Sequence, residues 1–147
     1  RAQIAKLQQQ RPKVAYTGGS MVWPVPSTTL VTSNYGYRFH PVLKYNRLHA
    51  GMDIGARTGA SVVAANSGTV IKAEYNSSYG NHVVIDHGGG ICTLYAHASR
   101  LLVSRGQTVK AGQEIMKAGS TGIVSGPHLH FEVLVNGKTT NPAAYLY

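Results

Sequence analysis

The fold of this chain is decided by one stretch, Pro127-His128-Leu129-His130-Phe131-Glu132-Val133. With the period of two that is typical of a β-strand, its polar side chains fall on one face and its apolar side chains on the other. The stretch therefore predicts a strand with an apolar back and a chemically active front. Same-side residues in a strand lie roughly 6.5 to 7 Å apart, so one imidazole can hold a metal while its neighbour moves a proton. An edge strand with two incidental histidines in solvent explains the same pattern equally well.

Composition indicates a single domain with a basic surface. The chain has 147 residues, of which 43% are hydrophobic, and this is enough for one core. A net charge of +9 favours polyanionic partners, which include nucleic acid, acidic lipid and the anionic polymers of a bacterial wall. The single cysteine, Cys92, excludes an internal disulfide and a multi-cysteine metal site, and its apolar neighbours predict a buried thiol. The sequence contains no run of 18 or more apolar residues, so no membrane span is predicted.

The first 20 residues differ in character from the rest of the chain. Residues 1–11 are strong helix formers with Ile4 and Leu7 three positions apart, which predicts the end of a helix or coiled coil. The polar segment that follows contains Gly18-Gly19 and indicates a linker. We therefore assign residues 1–20 to a helical tail and linker of an upstream region, and residues 21–147 to one domain. Because the chain begins with Arg1 and has no signal peptide, we expect a fragment of a longer or processed protein.

Most of the remaining chain consists of short β-type runs that glycine separates. The predicted strands are residues 61–64, 69–75, 82–86, 91–97, 114–118 and 129–135. Gly88-Gly89-Gly90 joins two of them, and Asn136-Gly137 is a type I′ hairpin signal. Strands joined this closely pair antiparallel. The predicted fold class is mostly β, an antiparallel sheet with a short helical extension at its N-terminus.

A second cluster, His49-Ala50-Gly51-Met52-Asp53, contains candidate metal ligands. His49 and Asp53 are four residues apart and share a face in either a helical turn or a strand. With His130 they amount to two histidines and one carboxylate, the set used by catalytic zinc sites that keep a fourth position for water. Neither HExxH nor its inversion occurs, and a lone HxxxD is also common by chance.

A third cluster, Tyr95-Ala96-His97, closes the predicted strand 91–97. Strict alternation places Thr93, Tyr95 and His97 on one face. We therefore expect His97 to end a polar front like that of His128. A histidine that caps a strand at the surface fits the same pattern.

Five other polar residues are candidates for lesser roles. Arg38 and His40 alternate with aromatic residues and either line a groove, where they meet substrate carboxylates, or are structural strand residues. His82 and His87 bracket a predicted strand and are expected to be structural. Glu132 shares the face of His130, where it either orients a metal ligand or faces solvent.

Taken together, these clusters resemble the lysostaphin-type zinc peptidases, also called LytM domains or peptidase family M23. The resemblance rests on HAGMD, YAH and HLH in this order, with YGYRFHP upstream and Ser78–Gly88 between them. It covers about residues 23–147. It implies a lysostaphin-like antiparallel sheet, a duplicated hybrid motif, with a substrate groove across it.

The resemblance also implies a set of site residues. It makes His49, Asp53 and His130 the ligands of one Zn²⁺ per chain, with His97 and His128 as the paired catalytic histidines. In some family members a tyrosine lies near the oxyanion, and Tyr45 is a candidate for that position and for substrate contact.

The implied activity is hydrolysis of peptide bonds in bacterial peptidoglycan, either in stem-peptide cross-links or in glycine bridges. This implies a secreted or envelope-facing protein, with a partner hydrolase or another envelope protein bound through an N-terminal coiled coil. The alternative is a non-catalytic LytM relative that activates other wall hydrolases.

Two further functions fit only parts of the sequence. Charge alone favours a nucleic-acid-binding module, but the basic residues are scattered and do not cluster among aromatics, so no nucleic-acid partner is predicted. Gly68-Thr69-Val70 and Val109–Gln113 are typical of biotinyl or lipoyl carriers, but the modifiable lysine in its acidic hairpin is missing.

Overall fold

The computed structural model describes residues 2–11, 15–16, 18–40, 45–122, 124 and 126–146, with the backbone alone for residues 37–40 and 45–47. The described residues form twelve strands and two short helices. In chain order these are α1 (Ala2–Gln9), β1 (Val31–Ser33), β2 (Gly36–His40), β3 (Tyr45–His49), β4 (Met52–Gly55), β5 (Ser61–Val63), β6 (Gly68–Asn76), β7 (Gly80–Gly88), β8 (Ile91–Leu101), β9 (Thr108–Val109), β10 (Glu114–Ala118), β11 (His128–Val135), β12 (Lys138–Thr140) and α2 (Ala143–Leu146).

Within this part of the chain, ten strands form one sheet, and β2 and β3 form a separate hairpin. The sheet order is β1-β4-β11-β8-β7-β6-β9, with β12 beside β11 and β10 beside both β5 and β8. Every pairing is antiparallel. The predicted mostly β fold with an antiparallel sheet and a short N-terminal helix is confirmed. None of the described helices is long and apolar enough to cross a membrane.

Local turn chemistry explains two of the hairpins. Gly88, Gly89 and Gly90 all have positive φ and connect β7 to β8. Asn136 and Gly137 have φ of 51° and 80° between β11 and β12, as a type I′ turn requires. Both predicted turns are confirmed. The six predicted strands are all present, although β8 continues beyond its predicted end to Leu101.

Strand β11 lies in the middle of the sheet, between β4 and β8. Its register places His130 opposite Asp53 on β4 and opposite Ala96 on β8. Residues from three distant parts of the sequence therefore meet at the N-terminal half of β11.

The two faces of β11 have the predicted difference in chemistry. Leu129, Phe131 and Val133 are fully buried and belong to the main core. The opposite face carries His128, His130 and Glu132, and then becomes apolar at Leu134. That residue packs in a second, smaller core with Ile71, Val84, Cys92, Leu94, Ala96 and Ile4.

Helix α1 packs against this second face of the sheet. Ile4 is only 2% exposed. Lys72 Nζ donates to Gln3 Oε1 at 2.8 Å, and beyond the helix Arg11 Nε pairs with Asp86 Oδ2 at 2.9 Å. The helix therefore covers the sheet on the same side as the two histidines of β11. The division of the chain at residue 20 stays a prediction.

The predicted burial of Cys92 is confirmed. Its side chain is fully buried in the second core. Burial raises the pKa of the thiol well above its usual range. The thiol is therefore a packing group rather than a nucleophile.

Candidate active site

Three side chains converge where β3, β4 and β11 come together. His49 ends β3, Asp53 lies on β4 and His130 lies on β11. His130 Nδ1 is 2.9 Å from Asp53 Oδ1, and His49 Nε2 is 3.3 Å from Asp53 Oδ2. One ligand atom from each residue lies within 4.8 Å of the other two. The structure thus brings together the three side chains for which we predicted metal binding.

The donor set and its spacing suit a zinc ion. Zinc is commonly bound by histidine nitrogen and carboxylate oxygen at about 2.0 to 2.2 Å, so ligand atoms around one tetrahedral ion lie roughly 3.4 Å apart. The spacings of 2.9 Å and 3.3 Å within the cluster are close to this value. Two histidines and one carboxylate also leave a fourth position for water or substrate.

The second ring nitrogen of each candidate histidine ligand has its own partner. His49 Nδ1 lies 2.9 Å from the carbonyl oxygen of Asn34, to which it donates. His130 Nε2 lies 2.7 Å from Glu132 Oε2. In each ring the nitrogen that faces Asp53 is therefore left to bind a cation.

The protonation of this cluster is set by mutual contacts. Burial disfavours ionisation of Asp53, but hydrogen bonds with His130 and His49 outweigh burial and hold its pKa well below its usual range. Burial also favours a neutral His130, yet hydrogen bonds with Asp53 and Glu132 raise its pKa to about 9. A metal must therefore displace a proton from His130, so metal affinity should fall as pH is lowered.

Two more histidines lie beside this cluster. The ring centroids of His97 and His128 are 5.1 Å apart, and His97 lies 6.1 Å from the ring of His130. His128 Nε2 approaches Asp53 Oδ1 at 3.6 Å. The structure therefore groups the two predicted catalytic histidines with the candidate metal ligands.

Backbone carbonyls hold both of these rings. His97 Nδ1 donates to Thr121 O at 2.7 Å, and His128 Nδ1 donates to Gly126 O at 3.0 Å. In each ring this contact occupies Nδ1 and leaves Nε2 for other partners, and Nε2 of His128 lies 3.6 Å from Asp53 Oδ1. Burial lowers the pKa of His97, against the opposing effect of its hydrogen bond to Thr121, which favours the neutral ring that a general base requires.

The route by which His97 reaches this position differs from the prediction. Thr93 and Tyr95 face away from the site, where their hydroxyls are hydrogen-bonded to each other at 2.7 Å. Strict alternation would place His97 on their face, so the predicted shared face was wrong. An irregularity in the pairing of β7 with β8 lies at this point, and His97 has a left-handed φ of 69°. A β-bulge re-aims a side chain in this way next to many active sites.

The turn before β7 supports the bulge. Asn76 Oδ1 accepts hydrogen bonds from the backbone of Ser78 and Tyr79, which shapes the turn, and the Tyr79 carbonyl accepts from His97 N at 2.8 Å. At Gly80, which has a φ of +64°, a Cβ atom would lie 2.4 Å from Thr121. The close packing of the Gly80 and Thr121 backbones fixes the position of the Thr121 carbonyl, which accepts the hydrogen bond from the His97 ring.

An open cavity of about 1110 Å³ is lined by residues that neighbour His128 in the chain and in the sheet. Pro127 precedes His128, and Gly55 is the partner of His128 in the register of β4 and β11. Both residues line the cavity, together with Leu30 and Arg57. Arg57 is the only charged residue in the lining that the structure describes.

Some predicted residues cannot be compared with the structure, and one residue was not predicted. The side chains of Arg38, His40 and Tyr45 lie outside the described residues, so their substrate contacts stay predictions. Tyr79 was missed because it lies in a turn, where no periodicity marks it. Its only sequence signal is its place between Asn76 and Gly80, two residues that shape the turn.

The comparisons with known proteins identify the family. Residues 47–142 match the model of peptidase family M23. The chain belongs to peptidase family M23. The match includes all five residues of the site, from His49 to His130.

Relatives and solved structures of this family support the same fold. The chain is 41% identical over 120 residues to the peptidoglycan DD-endopeptidase ShyA of Vibrio cholerae, which covers 81% of this chain but 28% of that relative. A zinc-containing peptidase from Vibrio cholerae superposes with a TM-score of 0.81 at 38% identity, over 85% of this chain and 40% of that one.

The catalytic domain of lysostaphin from Staphylococcus simulans has a similar structure. It superposes with a TM-score of 0.69 at 31% identity, over 78% of this chain and 90% of that one. The predicted lysostaphin-like fold is therefore confirmed.

Proposed function

We propose that this M23 domain is a zinc-dependent endopeptidase that hydrolyses peptide bonds in bacterial peptidoglycan. The observation that carries the proposal is the grouping of His49, Asp53 and His130 within 4.8 Å beside the His97 and His128 pair. The name of the Vibrio cholerae relative, a peptidoglycan DD-endopeptidase, supports this substrate class. It favours stem-peptide cross-links over glycine bridges.

One Zn²⁺ per chain would be held by His49 Nε2, a carboxylate oxygen of Asp53 and His130 Nδ1. When bound there, zinc supplies a Lewis acid that polarises a carbonyl group and makes water more acidic. The charge of Asp53, which its contacts keep ionised, offsets the charge of the cation.

The two remaining histidines would handle the proton and the developing charge. A neutral ring with a free Nε2 takes a proton from the attacking water and returns it to the leaving amine. The second ring, when it carries a proton on both nitrogens, donates a hydrogen bond from Nε2 to the oxyanion of the tetrahedral intermediate. His97 and His128 suit this division of work because a carbonyl holds each ring at Nδ1, which leaves Nε2 to accept a proton in a neutral ring or to donate one in a protonated ring.

The open cavity beside His128 is the proposed binding groove for the peptide. Its volume of about 1110 Å³ can accommodate a peptide segment, and the net charge of +9 suits an anionic wall polymer. We infer from this substrate that the protein works outside the cytoplasm, secreted or in the cell envelope. A partner hydrolase bound through the N-terminal region remains a prediction.

The test uses the purified chain, isolated peptidoglycan and two variants. We expect about one zinc per chain, release of peptide fragments, and loss of this release with a chelator. His130→Ala should lose both zinc and cleavage. His128→Ala should keep zinc while cleavage falls by about 10²- to 10⁴-fold.

Mass spectrometry of the fragments identifies the bond. A folded chain that cleaves after its metal is removed would contradict the mechanism. A zinc-loaded chain that releases nothing from peptidoglycan would instead favour the non-catalytic activator.

A further inference from the structure

Glu132 is the most deeply buried of the five acidic residues. Its side chain is 0% exposed, although it lies on the same face of β11 as the half-buried His130. A buried carboxylate is costly unless hydrogen bonds compensate for the lost water. The partners of Glu132 therefore indicate what the residue does.

Two donors meet at one oxygen of this carboxylate. His130 Nε2 lies 2.7 Å from Glu132 Oε2, and the Tyr79 hydroxyl donates to the same oxygen at 3.0 Å. The other nitrogen of the same ring, His130 Nδ1, faces Asp53 at 2.9 Å. With its proton on Nε2 and directed at Glu132, the ring presents the lone pair of Nδ1 to the metal centre.

The orientation of the His130 ring is also restricted by its neighbours. The Tyr79 ring stacks on it with centroids 6.0 Å apart and an interplanar angle of 24°. On another side, a Cβ atom at Gly51 would lie 2.9 Å from both His130 Cε1 and Glu132 Cγ. The ring and the carboxylate thus fit a space that only a bare backbone at position 51 leaves open.

We propose that Glu132 and Tyr79 are positioning residues that fix the tautomer and orientation of His130 and so set the zinc affinity of the site. Tyr79 has a second connection to the site, since its carbonyl oxygen accepts from His97 N at 2.8 Å. Tyr79 therefore supports the proposed metal ligand His130 through its side chain and the proposed catalytic residue His97 through its backbone carbonyl. This inference rests on the proposed zinc-dependent function.

The test compares Glu132→Gln and Tyr79→Phe with the wild type in the full chain. Zinc affinity is measured by competition with a chromogenic chelator, and the thermal midpoint of each metal-free protein is measured in parallel. We expect zinc affinity to fall by about 10- to 100-fold in Glu132→Gln, the range found when such a partner of a metal-bound histidine is lost. Tyr79→Phe should lose less, about fivefold, because it removes the hydrogen bond from the Tyr79 hydroxyl to Glu132 but leaves the direct contact of Glu132 with His130 in place.

Tyr95→Phe is the matched control. It also removes a buried hydroxyl with two partners, Ala65 N at 2.9 Å and Thr93 Oγ1 at 2.7 Å, but on the opposite face of the sheet. We expect this variant to lower the thermal midpoint and to bind zinc as the wild type does. If Glu132 and Tyr79 had a purely structural role, all three variants would have a lower thermal midpoint and would bind zinc as the wild type does.

The outcomes separate this inference from the proposed function. If the wild type binds zinc and the folded variants at positions 132 and 79 bind it as tightly, the positioning role is overturned. Equal losses in the Tyr95→Phe control would overturn it as well. If the folded wild type binds no zinc, the proposed function and this inference both fail. Should Glu132→Gln not fold, Tyr79→Phe carries the test alone.

Discussion

His97 should be a position at which glycine gives a more stable protein than alanine. Its φ of 69° lies in the left-handed region, which costs a residue with a Cβ atom roughly 1 to 2 kcal/mol. Both His97→Ala and His97→Gly remove the ring and its hydrogen bond to Thr121, so their difference isolates the backbone. Glycine relieves the strain but adds about 0.4 to 1 kcal/mol of entropy to the unfolded chain. We therefore expect His97→Gly to be more stable by about 0.5 to 1 kcal/mol.

The assay is urea unfolding of both metal-free variants, with the same pair of substitutions at His128 as a control. His128 is not among the residues with positive φ, so there alanine should be the more stable by about 0.5 to 1 kcal/mol. The sign of the difference should thus reverse between the two histidines. Both His97 variants should bind zinc and lose about 10²- to 10⁴-fold in cleavage. A His97→Ala variant more stable than His97→Gly would refute the β-bulge as the device that aims this ring.

Two further predictions concern the buried network and the groove. His87 is held between Ser67 O at 2.8 Å and Thr93 Oγ1 at 2.7 Å, and burial lowers its pKa. As pH falls, the unfolded chain binds a proton at His87 before the folded chain does, so the free energy of unfolding should decrease below about pH 6.5. Urea unfolding from neutral to acidic pH should show a smaller decrease in His87→Gln than in the wild type. An equal decrease in both would exclude His87 as its source. Arg57→Gln should reduce kcat/KM on peptidoglycan fragments by about 10-fold, because one charge-assisted contact with the substrate is lost. Its zinc content should not change. Unchanged kinetics would mean that the substrate does not contact Arg57.

Features that depend on neighbouring residues could be predicted from the sequence. The alternation in residues 127–133 gives the two faces of β11, because side chains in any strand alternate and Phe131 and Leu129 need a core. Asn136-Gly137 gives the last hairpin, because only such residues adopt positive φ at both positions of its turn. In both cases the physical cause lies within a few residues of its effect.

The position of His97 could not be predicted in the same way. The pattern of β8 is regular, so alternation puts His97 on the same face as Tyr95, and the structure buries Tyr95 in the main core. The extra residue that breaks this alternation is defined by the pairing of β8 with β7, and its left-handed φ is held by contacts with Tyr79 and Thr121. A bulge is a property of two strands together, and one strand's sequence carries no mark of it.

Glu132 illustrates the same limit for an electrostatic property. From the sequence, solvent exposure and a contact with His130 were equally good explanations. The side chain is buried because Tyr79 binds it from the turn before β7 and because Leu134, the next residue on its face, packs with Ile4 of α1. Tyr79 and Ile4 both lie more than 50 positions from Glu132 in the chain. Tertiary packing alone therefore turns an ordinary surface acid into a buried hydrogen-bond acceptor. A substitution at position 4 or 79 can therefore affect the candidate metal centre through this one carboxylate.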